Sequence, residues 1–138
     1  GKPLAGYHGA CPVQMVWQHP ETVVDPLLRL KDTLAEAGEI DPELTEKLHI
    51  EKGWLERFPT ELSGGELQRF CLARALHSGT RFLLCDEISA MLDLVTQAQI
   101  WDLLLKEAEK RELGLLVVSH NEALMERVCT RVVDLTWN

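Results

Sequence analysis

Three short strings end in side chains suited to phosphate chemistry. Phe82-Leu83-Leu84-Cys85-Asp86-Glu87 sets four apolar residues ahead of two carboxylates. Such a run reads as a buried strand of a parallel sheet, whose charged end emerges at the carboxyl edge, where α/β ligand sites lie. There the first carboxylate suits a Mg²⁺ held through water, and the second suits orienting or deprotonating an attacking water. Leu115-Leu116-Val117-Val118-Ser119-His120 repeats the pattern, its histidine 34 residues beyond Asp86. Parallel strands open on one edge, so His120 is expected near Asp86 and Glu87, able to donate to a phosphate oxygen. Met15-Val16-Trp17-Gln18-His19-Pro20 ends a third short strand with Gln18, whose amide could reach a metal or the attacking water. Taken singly, each is ordinary: two solvated acids, a loop histidine, a surface glutamine.

Leu62-Ser63-Gly64-Gly65-Glu66-Leu67-Gln68-Arg69 is different in kind. It opens a helix expected to run to about Ser78, with Ser63 as N-cap and Glu66 three residues on, the pattern of a capping box. A capping box does not call for two glycines, each costing up to about 1 kcal/mol relative to alanine in a helix. Gly64 and Gly65 instead leave bare amides at the positive end of a helix, open to close approach by a phosphate.

These strings need elements to hold them. Residues 1–20 read as loop around one short strand, Val13 to Trp17, with Gly1, Gly6, Gly9, Pro12 and Pro20 as punctuation. A helix is expected from Asp25-Pro26, with Leu27, Leu30 and Leu34 on one face and Gly38 as its stop. A second starts at Asp41-Pro42 with Leu44 and Leu48, and a turn or two carrying Trp54, Leu55 and Phe58 ends before Pro59. Beyond Gly79 the pattern becomes strands at Phe82–Cys85, Leu115–Ser119 and Val132–Leu135. Helices are expected between them at Val95–Arg111 and about Asn121–Cys129, an alternation that implies a parallel sheet. The longer helix places Trp101, Leu104, Leu105 and Ala108 in one apolar stripe. Three divisions follow: 1–20, an N-terminal segment with the Gln18 strand; 21–79, a helical part; and 80–138, the rest of the sheet.

Composition narrows the function. The 138 residues are 46% hydrophobic, enough for a core, and 22 acidic against 14 basic residues give a net charge of −8. That balance argues against a surface built for nucleic acid or anionic lipid. No apolar run approaches the roughly 18 residues of a membrane helix, and no secretory leader pattern is visible. Cys11, Cys71, Cys85 and Cys129 show no metal-binding spacing; the last three read as small core residues in a reducing compartment and Cys11 as a loop thiol.

Taken in order, the strings resemble the ATP-binding-cassette (ABC) ATPase family over almost the whole chain. Gln18 stands at the Q-loop, Leu62–Glu66 at the signature, Phe82–Glu87 at the Walker B strand, Ala90–Asp93 at the D-loop and His120 at the switch histidine. The resemblance implies an α/β fold: an incomplete P-loop NTPase (RecA-like) parallel sheet with a helical subdomain carrying the signature motif. It implies a head-to-tail pair of such domains, with ATP sandwiched between them. Carried over by motif, Asp86 would hold Mg²⁺ through water with help from Gln18, which would also sense the γ-phosphate. Glu87 would be the general base and His120 would contact the same phosphate. Ser63, Gly64, Gly65, Glu66 and Gln68 would serve the nucleotide of the opposite domain, and Asp93 would lie across the interface.

Ile88-Ser89-Ala90-Met91-Leu92-Asp93, together with Gln18-His19-Pro20 and Asp25-Pro26, looks most like the peptide and nickel importer branch. That branch implies a peripheral subunit at the cytoplasmic face of the membrane, contacting a permease through Glu21 to Leu30, with substrate choice in other subunits. No stretch fits G-x-x-x-x-G-K-[ST], since Gly1-Lys2 is followed by Pro3, which has no amide hydrogen. The chain therefore resembles the later part of such a domain, with ATPase activity expected of the full-length protein and not of these residues alone. Two alternatives are a non-catalytic module that keeps the fold and a chromosome-maintenance or repair ATPase. The latter inserts a long coiled coil between Q-loop and signature, where Ser63 here follows Gln18 by 45 positions without sustained heptads.

Overall fold

Short apolar runs become strands where parallel neighbours satisfy their backbone groups. In the computed structural model, which describes residues 10–38 and 40–135, Val13–Val16 (β1), Phe82–Asp86 (β2) and Gly114–Val118 (β3) form one parallel sheet in the order β1-β2-β3. The register runs from Val13 opposite Phe82 and Gly114 to Val16 opposite Cys85 and Val117. Alternation along the strands therefore gives the sheet two unlike faces. Val16, Leu83 and Cys85 are buried on one, whereas Val13, Phe82, Leu116 and Val118 are exposed on the other. Glycine at position 114 is required by the open face, because a Cβ there would lie 2.4 Å from the Phe82 ring.

Among the described residues, three α-helices lie between β1 and β2: α1 (Leu30–Ala35), α2 (Pro42–Lys47) and α3 (Gly64–Ala75). The first starts later than its Asp25-Pro26 signal predicts. Asp25 Oδ1 accepts the Leu27 N–H, closing a local turn, but Arg29 is extended at φ −69°, ψ 151°. Its guanidinium bonds the Glu56 carbonyl and lies 4.9 Å from the centre of the Phe58 ring, and Leu30 N–H donates to the Arg57 carbonyl. These tertiary contacts override the local helix signal, and Gly38, at φ 89°, ends the segment as expected. In α2, Asp41 caps the Glu43 N–H and Pro42 occupies the first turn, where its missing N–H leaves no bond unmade.

The centre of the chain is α3, buried nearly all round. Leu67, Phe70 and Cys71 enter a small cluster with Val24, Leu30 and Trp54. Leu72, Ala73, Ala75 and Leu76 enter the larger core under the sheet. Against the same sheet face lies α4 (Leu94–Arg111), contributing Ile100, Trp101, Leu103 and Leu104 to that core. Glu112, at φ 53°, ends it in the left-handed conformation usual for a helix stop. A last helix, α5 (Glu122–Val128), is capped by Asn121 and rests Leu124 and Val128 on the core.

Two further expectations differ. Helix α3 ends at Ala75 rather than Ser78, and the turn beyond is held by Thr80, whose hydroxyl donates to the Ala75 carbonyl at 2.6 Å. Val132–Leu135 is not a strand: the segment is exposed and joins no sheet ladder, and an apolar pattern makes a strand only where a neighbour lies alongside. Gly1-Lys2-Pro3, Gly6 and Gly9 fall outside the described residues. Cys71 and Cys85 are buried, Cys129 is half-buried and Cys11 is exposed, in line with their reading as three packed thiols and one loop thiol. No helix among the described residues is long and apolar enough to cross a membrane.

Candidate functional site

The carboxyl edge of the sheet brings together side chains that are 33 residues apart in sequence. Glu87 follows β2 at φ 49°, a left-handed conformation uncommon outside glycine. Its N–H donates to the Val118 carbonyl at the end of β3, so the two strand ends are tied by backbone. The carboxylate then spans the gap: Oε1 accepts the His120 backbone N–H at 2.8 Å, and Ser119 Oγ lies 3.5 Å from Oε2. His120 Nε2 stands 3.7 Å from Oε1 with its side chain 99% exposed, against 19% for Glu87. The acid is thus anchored at the floor of the edge and the imidazole projects above it. Together they pair an acceptor for a proton with a donor to an incoming anion.

Asp86 is the last residue of β2 and half-buried. Its carboxylate has no hydrogen-bond or ionic partner among the described residues, and no group of three or more His, Cys, Asp or Glu side chains there could by itself hold a metal ion. One free carboxylate at a strand end fits Mg²⁺, which keeps its waters and takes further oxygens from a substrate's phosphates. It does not fit a metal caged wholly by protein.

On α3, Ser63 and Glu66 form the expected box: Ser63 N–H donates to Glu66 Oε2 at 2.7 Å, and Glu66 N–H to Ser63 Oγ at 3.3 Å. Glu66 is therefore committed to the cap. The glycines behave otherwise. A Cβ on Gly64 would meet nothing within 4 Å, and one on Gly65 would touch only Leu92 Cδ2 at an ordinary 3.5 Å. Packing within the chain does not require either glycine, and together they leave bare backbone at this helix end, where an anion could approach closely.

Gln68 departs from expectation. Read as a nucleotide contact, it is only 2% exposed, and its Nε2 donates at 3.1 Å to the Trp17 and Ile88 carbonyls. Held between the segments that follow β1 and β2, the side chain is closed to a ligand. Gln18, half-buried, directly follows one of these carbonyls, and Glu87 directly precedes the other residue. Asp93 caps α4: Oδ1 accepts the Val95 and Thr96 N–H groups and Oδ2 accepts the Thr96 hydroxyl at 2.6 Å. The Thr96 hydroxyl, foremost, holds the Asp93 carboxyl below its ordinary range.

Sequence pattern missed the residues that hold the loop between β2 and α4. Trp101 Nε1 donates to Ser89 Oγ at 3.0 Å, and Gln97 Nε2 donates to the Ser89 and Leu92 carbonyls at 2.8 and 3.0 Å. Trp101 read only as part of an apolar stripe. A buried tryptophan needs a partner for its indole N–H, and Ser89 supplies it, but nothing local in the sequence names that serine.

A three-stranded parallel sheet, with helices inserted between its first two strands and acid and histidine on one edge, defines a class of α/β domain, and the comparisons identify which. Residues 11–90 match the family model for ABC transporters, and the chain belongs to that family. The nickel import ATP-binding protein NikE of Rhodospirillum rubrum is 35% identical across 98% of this chain and 55% of its own length. A putative peptide import ATP-binding protein of Brucella abortus is 34% identical across 89% of the chain and 40% of its own. The chain thus spans about half the length of the curated relatives it matches. Among solved structures, a dimeric bacterial ABC transporter cassette superposes with a TM-score of 0.67 at 23% identity, over 83% of this chain and 56% of that one. The fold is that of the ABC ATPase cassettes.

Proposed function

We propose that the chain is the Q-loop-to-switch portion of an ATP-hydrolysing subunit that powers import of a small solute, such as a peptide or a nickel complex. The observation that carries this reading is the meeting of Glu87 and His120 at one sheet edge. The import proteins it resembles support the solute class. In the reaction, the triphosphate of ATP lies along the carboxyl edge. Glu87, fixed by the His120 N–H, accepts the proton of the attacking water, and the exposed imidazole of His120 donates to the γ-phosphate. Asp86 is the residue that would hold Mg²⁺, whose charge offsets that of the phosphates when it is bound. Gln18 completes the edge as the sensor of the γ-phosphate. Ser63, Gly64 and Gly65 offer backbone amides to the nucleotide of a second subunit, and Asp93 sits at the loop facing that subunit.

A permease at the membrane would dock on residues 21–30, where Leu27 is 83% exposed beside exposed Asp25, Pro26 and Arg29. On this reading the subunit works at the cytoplasmic face of the membrane. The complete cassette supplies the phosphate cradle that no stretch of these 138 residues encodes. In that cassette, Glu87→Gln should leave ATP binding intact and slow hydrolysis at least about a hundredfold, the scale of general-base losses. Hydrolysis at the unaltered rate would reject Glu87 as the base.

A further inference from the structure

Gln68 is a fully buried amide whose two donors hold two separate loops. Its Nε2 lies 3.1 Å from the carbonyl of Trp17, after β1, and 3.1 Å from that of Ile88, after β2. These neighbours settle which way the amide faces, because the reverse orientation would set Oε1 against two carbonyl oxygens. Oε1 itself is buried without a hydrogen-bond partner among the described residues. An apolar residue would avoid that unmet acceptor, so packing does not explain the glutamine; the two bonds it donates do. Trp17 and Ile88 adjoin Gln18 and Glu87 in sequence, and Gln68 stands one turn along α3 from Gly64 and Gly65. One side chain thus joins the glycine-bearing helix to both the glutamine and the acid of the strand edge.

We propose that Gln68 is a positioning residue for hydrolysis, fixing Glu87 relative to the loop after β1 and to the glycine-bearing end of α3. This rests on the ATPase reading above. Gln68 touches no nucleotide; it acts through Glu87. The link runs through well-tied parts, since Glu87 is also bound to the end of β3 at Val118 and Gln68 lies within a helix packed on both sides. Holding a general base to within a fraction of an ångström is what makes it effective.

The experiment is steady-state ATPase kinetics on the complete cassette carrying Gln68→Leu, of similar size but without donors, and Gln68→Glu, which keeps the shape and sets an acceptor against both carbonyls. Each should lower kcat at least about tenfold while KM for ATP stays within about twofold, a split expected when only the reacting geometry is lost. Placing Gln68→Leu in a Glu87→Gln background should lower the residual rate no further, because both changes act through one group. Raised KM with kcat unchanged would make Gln68 a nucleotide contact, and normal kcat in both variants would overturn the proposal. A further loss of rate in the double variant would overturn it as well. Should either variant fold poorly, side-chain amide exchange in the unaltered 138-residue chain decides: Gln68 NH₂ protons must exchange far more slowly than those of the exposed Gln99. Equal rates would dissolve the clamp. Glu87→Gln at full activity would instead sink the ATPase reading, so the two failures are distinguishable.

Discussion

Burial sets the protonation of His77, Cys71 and Cys85, and the pH dependence of the histidine is opposite in direction to that of the thiols. His77 is buried at the turn after α3, its Nδ1 accepting the Gly79 N–H at 3.0 Å and its carbonyl receiving Arg111 Nη2 at 2.7 Å. Burial first, and the Arg111 guanidinium second, lower its pKa below 6.5, while the Cys11 carbonyl works the other way. The unfolded chain therefore takes up this proton before the folded chain does, and stability falls as pH drops below about 6.5. His77→Asn keeps an acceptor for the Gly79 N–H and removes the titration, so urea midpoints measured from pH 7.5 to 5.5 should slope less in that variant. Cys71 and Cys85 act at the other end. Burial pushes both thiols from 9.0 up to about 12; the unfolded state ionises first, and stability should decline as pH rises above about 9. A thiol reagent at pH 8 should label exposed Cys11 rapidly and these two only on unfolding. Equal labelling of Cys71 in the folded chain would contradict its burial.

At the scale of elements, α3 carries the sharpest conflict between folding and use. Neither Gly64 nor Gly65 is required by steric closeness, so Gly64→Ala and Gly65→Ala should raise the unfolding free energy of the chain, by up to about 1 kcal/mol each. On the proposed function, the same methyl groups would obstruct phosphate approach in the complete cassette and should lower ATPase activity. Stabilisation with unchanged activity would remove the functional reason for the pair. Helix α3 also shows what was legible in the sequence. Its start at Ser63-Gly64, its capping box and the acid and histidine at the strand edge could be read directly, because each depends on residues within one turn or one strand. The inward turn of Gln68, the Ser89 partner of Trp101 and the late start of α1 could not. All depend on contacts between distant segments: Gln68 with Trp17 and Ile88, Trp101 with Ser89, Arg29 with Glu56 and Phe58. Val132–Leu135 failed for the related reason that a strand pattern does not carry its own neighbour.

For the molecule as a whole, the sheet decides behaviour in isolation. Parallel sheets are ordinarily covered on both faces, yet Phe82 is 57%, Leu116 59% and Val118 51% exposed on one face here, with Val13 beside them. Adjacent apolar residues of that kind favour association, so the purified 138-residue chain should self-associate at micromolar concentration. Light scattering after gel filtration would report it, and Leu116→Lys with Val118→Lys should shift the mass toward monomer while leaving the buried face of Leu83 and Cys85 untouched. Association of this origin is indifferent to nucleotide. The chain has Asp86, Glu87 and His120 at one edge but no glycine-rich loop with its lysine to cradle a triphosphate, so Mg-ATP should neither bind tightly nor change the mass, and no turnover should be seen. Micromolar ATP affinity, or dimers that form only with ATP, would mean that the edge and the glycines of α3 suffice to hold nucleotide, and the division of labour between this chain and an upstream cradle would have to be abandoned.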